Sequence, residues 1–234
     1  MRSIGFAGPR SYGRWRAAVQ RTLRFTLMAA LLALPFGVAA SAADGPVRIV
    51  ALGDSLTAGL GLPAAAAFPM RLQKALTDKG LAVEISNAGV SGDTMSGGLA
   101  RLDWSVPEGA QAVILELGAN DMLRGLDPQL TRKALEEILR RLAARHIDVL
   151  VCGMLAAPNL GADYAKAFNP MYPELAERDH LLLYPFFLAG VVGKPALIQP
   201  DGLHPTAAGV DVIVAGVLPK AEELVARVRS RDGT

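Results

Sequence analysis

Five short, mostly apolar runs, alternating with stretches of helical periodicity, constrain this chain more than any other feature. The runs span residues 47–52, 82–85, 112–117, 147–154 and 181–184 and are rich in Val, Ile and Leu. Runs of that length and composition read as strands buried on both faces. Helical patterns lie between and after them. Residues 70–79 close before Gly80, and residues 94–103 and 128–145 follow, the last with Leu130, Ala134, Leu135, Ile138, Leu139 and Leu142 on one stripe. A final helix is expected over 206–229, with Pro219 as its candidate break. Regular alternation of this kind predicts an α/β architecture in which a parallel sheet is covered by helices on both faces. Such a sheet binds ligands beyond the carboxyl ends of its strands.

The first 42 residues are set apart from this pattern. Arg2, Arg10, Arg14, Arg16, Arg21 and Arg24 precede an uncharged run over 25–40, and no acidic residue occurs before Asp44. Basic residues, a 16-residue apolar run containing Pro35 and Gly37, and then the small residues Ala40-Ser41-Ala42 have the layout of a secretory signal peptide. A membrane-spanning helix needs about 20 apolar residues, which makes a permanent anchor the weaker reading. The expectation is a leader over 1–42, a single domain over 43–234, and an exported protein that is periplasmic or secreted after cleavage.

Charge follows the same division. The whole chain carries 24 Lys+Arg against 22 Asp+Glu, but the six arginines of the leader leave 18 basic and 22 acidic residues, a net −4 over 192 residues. A mildly acidic body without a basic cluster argues against binding to phosphate backbones, so no nucleic-acid partner is expected. One cysteine, Cys152, lies within Val149-Leu150-Val151-Cys152 and reads as a small buried hydrophobe. With no paired His or Cys spacing, no metal is expected.

The chemistry is sought on the loops after the strands. The first strand runs into Gly53-Asp54-Ser55-Leu56-Thr57-Ala58-Gly59, which places Ser55 where the chain leaves the sheet. A serine there can act as a nucleophile, cap the next helix, or cradle phosphate; no G-x-G-x-x-G or Gly-Lys-Ser/Thr fingerprint supports the last. A nucleophile needs a base, and the mature chain offers His146, His180 and His204. The first two follow predicted helices and fit a terminal role at those helices. His204 sits in Asp201-Gly202-Leu203-His204-Pro205. In a turn this spacing lets the carboxylate hold one ring nitrogen and leaves the other free, although Asp-x-x-His also suits a plain turn and helix cap. With Ser55 it completes a nucleophile, base and orienter in the order Ser…Asp…His. Two further loops offer oxyanion donors: Gly92, within Ser91-Gly92-Asp93-Thr94, and Asn120, within Gly118-Ala119-Asn120-Asp121. Each is compatible with an ordinary turn, but all of them fall at one edge of one sheet.

Together Gly53-Asp54-Ser55-Leu56, Gly92, Gly118-x-Asn120-Asp121 and Asp201-x-x-His204-Pro205 resemble the four motif blocks of the SGNH, or GDSL, hydrolases. Within that superfamily the chain is most similar to the exported bacterial acyl-CoA thioesterase, lysophospholipase and arylesterase group, which shares the Pro158-Asn159-x-Gly161, Tyr172-Pro173 and Pro185-Phe186-Phe187 segments. The resemblance implies a flavodoxin-like three-layer α/β/α sandwich with a five-stranded parallel sheet and no cofactor. It implies hydrolysis of small-molecule carboxylic esters or thioesters through an acyl-Ser55 intermediate, with His204 as base, Asp201 as its support, and Ser55, Gly92 and Asn120 forming the oxyanion hole. Leu123, Leu155, Pro158 and Asn159 are the expected substrate-binding residues. A carbohydrate O-deacetylase on the same fold is the alternative, and a non-catalytic exported binding module a further one. Few aromatics and many apolar loop residues, among them Leu60, Leu62, Met95, Met122 and Leu160, suit an acyl chain better than a sugar ring.

Overall fold

A computed structural model describes residues 45–233, so the predicted leader over 1–42 lies outside the described residues. In chain order the elements are β1 (Val47–Gly53), α1 (Ser55–Ala58), α2 (Phe68–Asp78), β2 (Val83–Gly89), α3 (Met95–Ala100), α4 (Leu102–Ser105), β3 (Ala112–Glu116), α5 (Ala119–Leu123), α6 (Pro128–Ala144), β4 (Asp148–Cys152), α7 (Ala162–Phe168), α8 (Met171–Arg178), β5 (Leu182–Tyr184) and α9 (Ala207–Asp232). Three 3-10 turns, Ala64–Ala66, Pro158–Leu160 and Pro195–Leu197, lie in the connections.

The five strands form one parallel sheet in the order β2-β1-β3-β4-β5. This is the flavodoxin-like order, in which the direction of strand addition reverses between β1 and β3 and opens a crevice there. The register sets Gly53 beside both Gly89 and Glu116, and Glu116 beside Cys152, so four strands end nearly level. All five residues of β3 are buried, as a strand covered on both faces requires. α2 packs on α9, and α3 on α6. Phe68, Leu72 and Leu76 of α2 are buried, each contributing roughly 1.5–3 kcal/mol by leaving water. Phe68 meets Phe187 edge to face, with ring centroids 4.9 Å apart.

The predicted elements are all present, with local differences that have physical causes. β2 runs past Ile85 to Gly89 through polar, partly exposed residues, because an edge strand needs only backbone pairing with β1. The helix expected over 94–103 is two short helices that meet at Arg101. Thr94 caps the first by accepting from the Gly97 N–H at 3.1 Å. Leu130 is 59% exposed rather than part of the stripe. The buried place in that turn is taken by Thr131, whose hydroxyl donates to Asp121 at 3.0 Å. α9 continues through Pro219 without a break. Pro219 and Ala215, whose carbonyl the proline leaves without its helical donor, both lie on the exposed side.

His146 and His180 serve helix ends, but through the backbone. Both take the left-handed conformation at φ 54. The N–H of His146 donates to Ala143 and that of Ile147 to Leu142; His180 and Leu181 repeat the arrangement onto Glu177 and Ala176. These are Schellman closures with histidine in the position glycine commonly fills.

Candidate active site

Ser55 is the first residue of α1, a four-residue helix that follows β1 directly. Asp54 caps it, its Oδ1 accepting from the Leu56 N–H at 2.9 Å. The turn is tight enough that a Cβ on Gly53 would lie 2.0 Å from Thr57 Oγ1 and 2.7 Å from the Glu116 carbonyl oxygen, so only glycine fits there. Ser55 is 8% exposed at the rim of a cavity of about 280 Å³.

His204 reaches this serine from the other end of the chain. The Asp201 carboxylate folds the loop around itself: Oδ1 accepts from the N–H groups of Leu203 and His204 at 2.9 and 3.0 Å, and Oδ2 lies 2.6 Å from His204 Nδ1. The backbone N–H groups of His204 and Leu203, and then the imidazole, hold the Asp201 carboxyl down at about 2. An ionised carboxylate only accepts, which places the imidazole proton on Nδ1 and leaves Nε2 as the acceptor. That Nε2 is 2.8 Å from Ser55 Oγ. Gln199 fixes the two loops to each other, donating through Nε2 to the carbonyls of Leu60 and Pro205 at 2.8 and 2.9 Å.

The two other predicted loops close the same site. Gly92 has φ +87, a conformation that favours glycine, and it lines the cavity with Asn120. Asn120 Nδ2 donates to Asp54 Oδ2 at 3.0 Å and to the Asp93 carbonyl at 2.9 Å, so both hydrogens of the amide have acceptors. Asp121, also buried, accepts from the Met95 N–H at 2.8 Å and ties α5 to α3. Ser55, Gly92, Asn120, Asp201 and His204, separated by up to 149 residues, thus converge on one edge of the sheet at the β1/β3 reversal.

Of the four residues expected to bind substrate, Leu123 lines the cavity and Leu155, Pro158 and Asn159 do not. The last two belong to a 3-10 turn beyond β4, in a segment anchored by the Ala156 N–H donating to Asn169 at 2.8 Å, which directs it to the neighbouring helices. Leu60 and Met122 line the cavity as well, whereas Met95 is fully buried core. Met154, Leu188 and Leu203 complete the wall. Apolar loop residues of this kind carry no sequence signal that separates a pocket wall from a core.

Two polar residues beneath the site were not singled out from the sequence. Arg101, 14% exposed, joins the strand ends. Nε donates to Asp93 at 2.6 Å, Nη1 to the Ala88 carbonyl and Ser105 hydroxyl at 2.9 and 2.8 Å, and Nη2 to the Gly53 carbonyl at 2.9 Å. Glu116, 1% exposed, ends β3, and its Oε2 accepts from Thr57 Oγ1 at 2.8 Å. A lone acid within an otherwise apolar strand was a signal available in the sequence.

Residues 51–212 match the GDSL-like Lipase/Acylhydrolase family, a span of more than half the chain that contains every one of these site residues. The chain belongs to the GDSL-like lipase/acylhydrolase family. Its acylhydrolase relatives include Esterase TesA of Pseudomonas aeruginosa strain PAO1, 36% identical over 204 residues that cover 87% of this chain and 100% of the relative. Thioesterase 1/protease 1/lysophospholipase L1 of Escherichia coli K12 is 40% identical over 71% of this chain and 77% of its own length. Among solved structures, that of AlinE4, an SGNH-hydrolase family esterase, superposes with a TM-score of 0.65 and 44% identity, covering 76% of this chain and 96% of that one. The acylhydrolase fold is therefore the SGNH fold that the resemblance implied.

Proposed function

We propose that this protein is a serine esterase or thioesterase that hydrolyses small-molecule acyl esters through an acyl-Ser55 intermediate. One observation carries the reading: the 2.8 Å contact of His204 Nε2 with Ser55 Oγ, backed by Asp201 at 2.6 Å, at the rim of an apolar cavity. His204 accepts the Ser55 proton as Oγ bonds to the substrate carbonyl carbon, and the carbonyl oxygen takes the negative charge. The N–H groups of Ser55 and Gly92 and the Asn120 amide receive that charge, the amide exchanging its Asp93 carbonyl acceptor for the oxyanion. The intermediate collapses, and the leaving alcohol or thiol departs with the proton from His204. Water, deprotonated by His204, then attacks the acyl-serine; its second collapse frees the carboxylic acid and returns the proton to Ser55 Oγ.

The wall of Leu60, Met122, Leu123, Met154, Leu188 and Leu203 supports an acyl chain over a sugar ring. Trp104, 81% exposed on α4, is not among the lining residues. The names of the relatives, esterase and thioesterase/lysophospholipase, support the same substrate class. Export remains part of the proposal on the layout of residues 1–42. Among the described residues no helix is long and apolar enough to cross a membrane.

The test is a fluorophosphonate probe with p-nitrophenyl acyl esters. The wild-type protein is expected to label at Ser55 and turn over, and Ser55→Ala to do neither. Turnover by Ser55→Ala at near wild-type rate refutes the assignment.

A further inference from the structure

Beneath the nucleophile lie two carboxyl groups that no step of the proposed reaction uses. Asp54 and Glu116 are both buried, and among the described residues no lysine or arginine is bonded to either. Their surroundings differ. Asp54 has a donor on each oxygen, the Leu56 N–H at 2.9 Å and the Asn120 amide at 3.0 Å, and His204, once it has taken the serine proton, adds a nearby positive charge. Glu116 has its donors on one oxygen, the Thr57 hydroxyl at 2.8 Å and the Asp54 N–H at 3.5 Å, while Oε1 is buried without a partner. The other groups around it supply no charge to offset a carboxylate. Cys152, beside it on β4, and Tyr172, reaching in from α8, are both buried and held neutral by that burial. Arg101 bonds to Asp93, Ser105 and the carbonyls of Ala88 and Gly53 rather than to either acid.

Two carboxylates this close in a dry site cannot both stay ionised, and the charge settles where the donors are. We propose that Glu116 works as a neutral carboxylic acid, a positioning residue that leaves the pair beneath Ser55 with a single negative charge on Asp54. The proposal rests on the hydrolase reading above. It gives the lone acid of β3 a role. A neutral Glu116 can hold the Thr57 hydroxyl and the start of α1, and Asp54 keeps its grip on Asn120. No second negative charge then opposes the oxyanion forming above them.

Burial acts in the same direction. It raises the Asp54 carboxyl to about 6 and, with the charge of Asp54 added, pushes Glu116 well above the usual carboxylate range. Between the ordinary carboxylate range and those raised values, the folded protein binds more protons than the unfolded chain. The stability this pair contributes is therefore full below about pH 4 and is lost as pH rises through the folded values.

The experiment follows the proton directly. Glu116 is the only buried glutamate among the described residues. Protein labelled with carbon-13 at the glutamate side-chain carboxyl is titrated from pH 5 to 9. One carboxyl resonance is expected to keep its protonated shift past pH 7 and to vanish in Glu116→Gln. If every glutamate carboxyl is ionised by pH 7, the proposal is overturned, and this readout needs no variant to fold. Glu116→Gln supplies a neutral group of the same shape, so its kcat at pH 7 is expected within roughly threefold of wild type, with a flatter fall in stability between pH 5 and 8. A folded Glu116→Gln that still labels at Ser55 but loses about 100-fold in kcat shows that the charge on Glu116 is needed, and also overturns it. Failure of the wild-type protein to label or turn over would instead count against the hydrolase reading, leaving the proton measurement to stand by itself.

Discussion

Arg101 offers the most informative single perturbation of the scaffold. Its guanidinium makes four hydrogen bonds, to Asp93, Ala88, Ser105 and Gly53, and so joins the ends of β1 and β2 to α4 and to the loop that carries Gly92. Arg101→Met keeps most of the aliphatic stem but removes every donor. Breaking a buried ion pair by deleting one partner costs about 3–5 kcal/mol, chiefly because the other charge is left buried. The Asp93 side chain is 19% exposed, which places the expected loss at the low end, about 3 kcal/mol. Adding the four bonds separately would overshoot, because water can reach part of the vacated space and the losses are not additive. For a domain of this size 3 kcal/mol lowers Tm by about 6–12 °C. Urea unfolding followed by circular dichroism should show the midpoint fall with an unchanged slope. Since the cost is mostly that of an unpaired carboxylate, Asp93→Asn added to Arg101→Met should destabilise far less than it does alone, with a coupling of about 1.5–3 kcal/mol. Because the Asp93 carbonyl also holds Asn120, kcat should fall more than KM rises. A loss below about 1 kcal/mol, with native kcat and no coupling to Asp93, would refute the reasoning.

Three further outcomes probe the site itself. Asn120→Ala is expected to lower kcat by about 100- to 1,000-fold with a small change in KM, as measured in steady-state hydrolysis of a p-nitrophenyl ester. Asp201, held at about 2, is ionised at every pH above that value, so no loss of activity from its protonation should appear between pH 4 and 9. Asp201→Asn should cost on the order of 10,000-fold in kcat by releasing the imidazole into the wrong tautomer.

The order of elements and the turn that joins Asp201 to His204 were readable in advance because both rest on short-range patterns. Apolar runs of strand length mark a doubly covered sheet. Asp201 and His204 are three residues apart, and one turn delivers the hydrogen bonds between them. What escaped depends on distant partners. Arg101 resembles any arginine after a helix until the ends of β1 and β2 are placed around it. Glu116 is one letter in an apolar run until Asp54 and Thr57 are packed against it. Leu188 and Leu203 belong to the cavity only because the long connection before α9 folds back over the sheet edge, whereas Pro158 and Asn159 lie in a loop that turns elsewhere. The unbroken α9 was hidden for a similar reason. Proline removes one helical hydrogen bond and crowds the carbonyl one turn back, and packing decides whether that carbonyl faces water, as the exposed Ala215 does here.

The bridge that Gln199 builds between the Leu60 and Pro205 carbonyls has a consequence for biosynthesis. Ser55 and His204 are 149 residues apart in sequence, so in the proposed mechanism a chain translated only past the serine lacks the imidazole that would activate it. Nothing local can substitute for the missing imidazole: the other two histidines stand at α6 and α8, where their backbones close helices. Closing so long a loop costs only slightly more than closing one half its length, and the docking of α9 on α2 repays it. In the proposed mechanism a chain cut short before Asp201 is inert, and turnover reports that synthesis has passed His204.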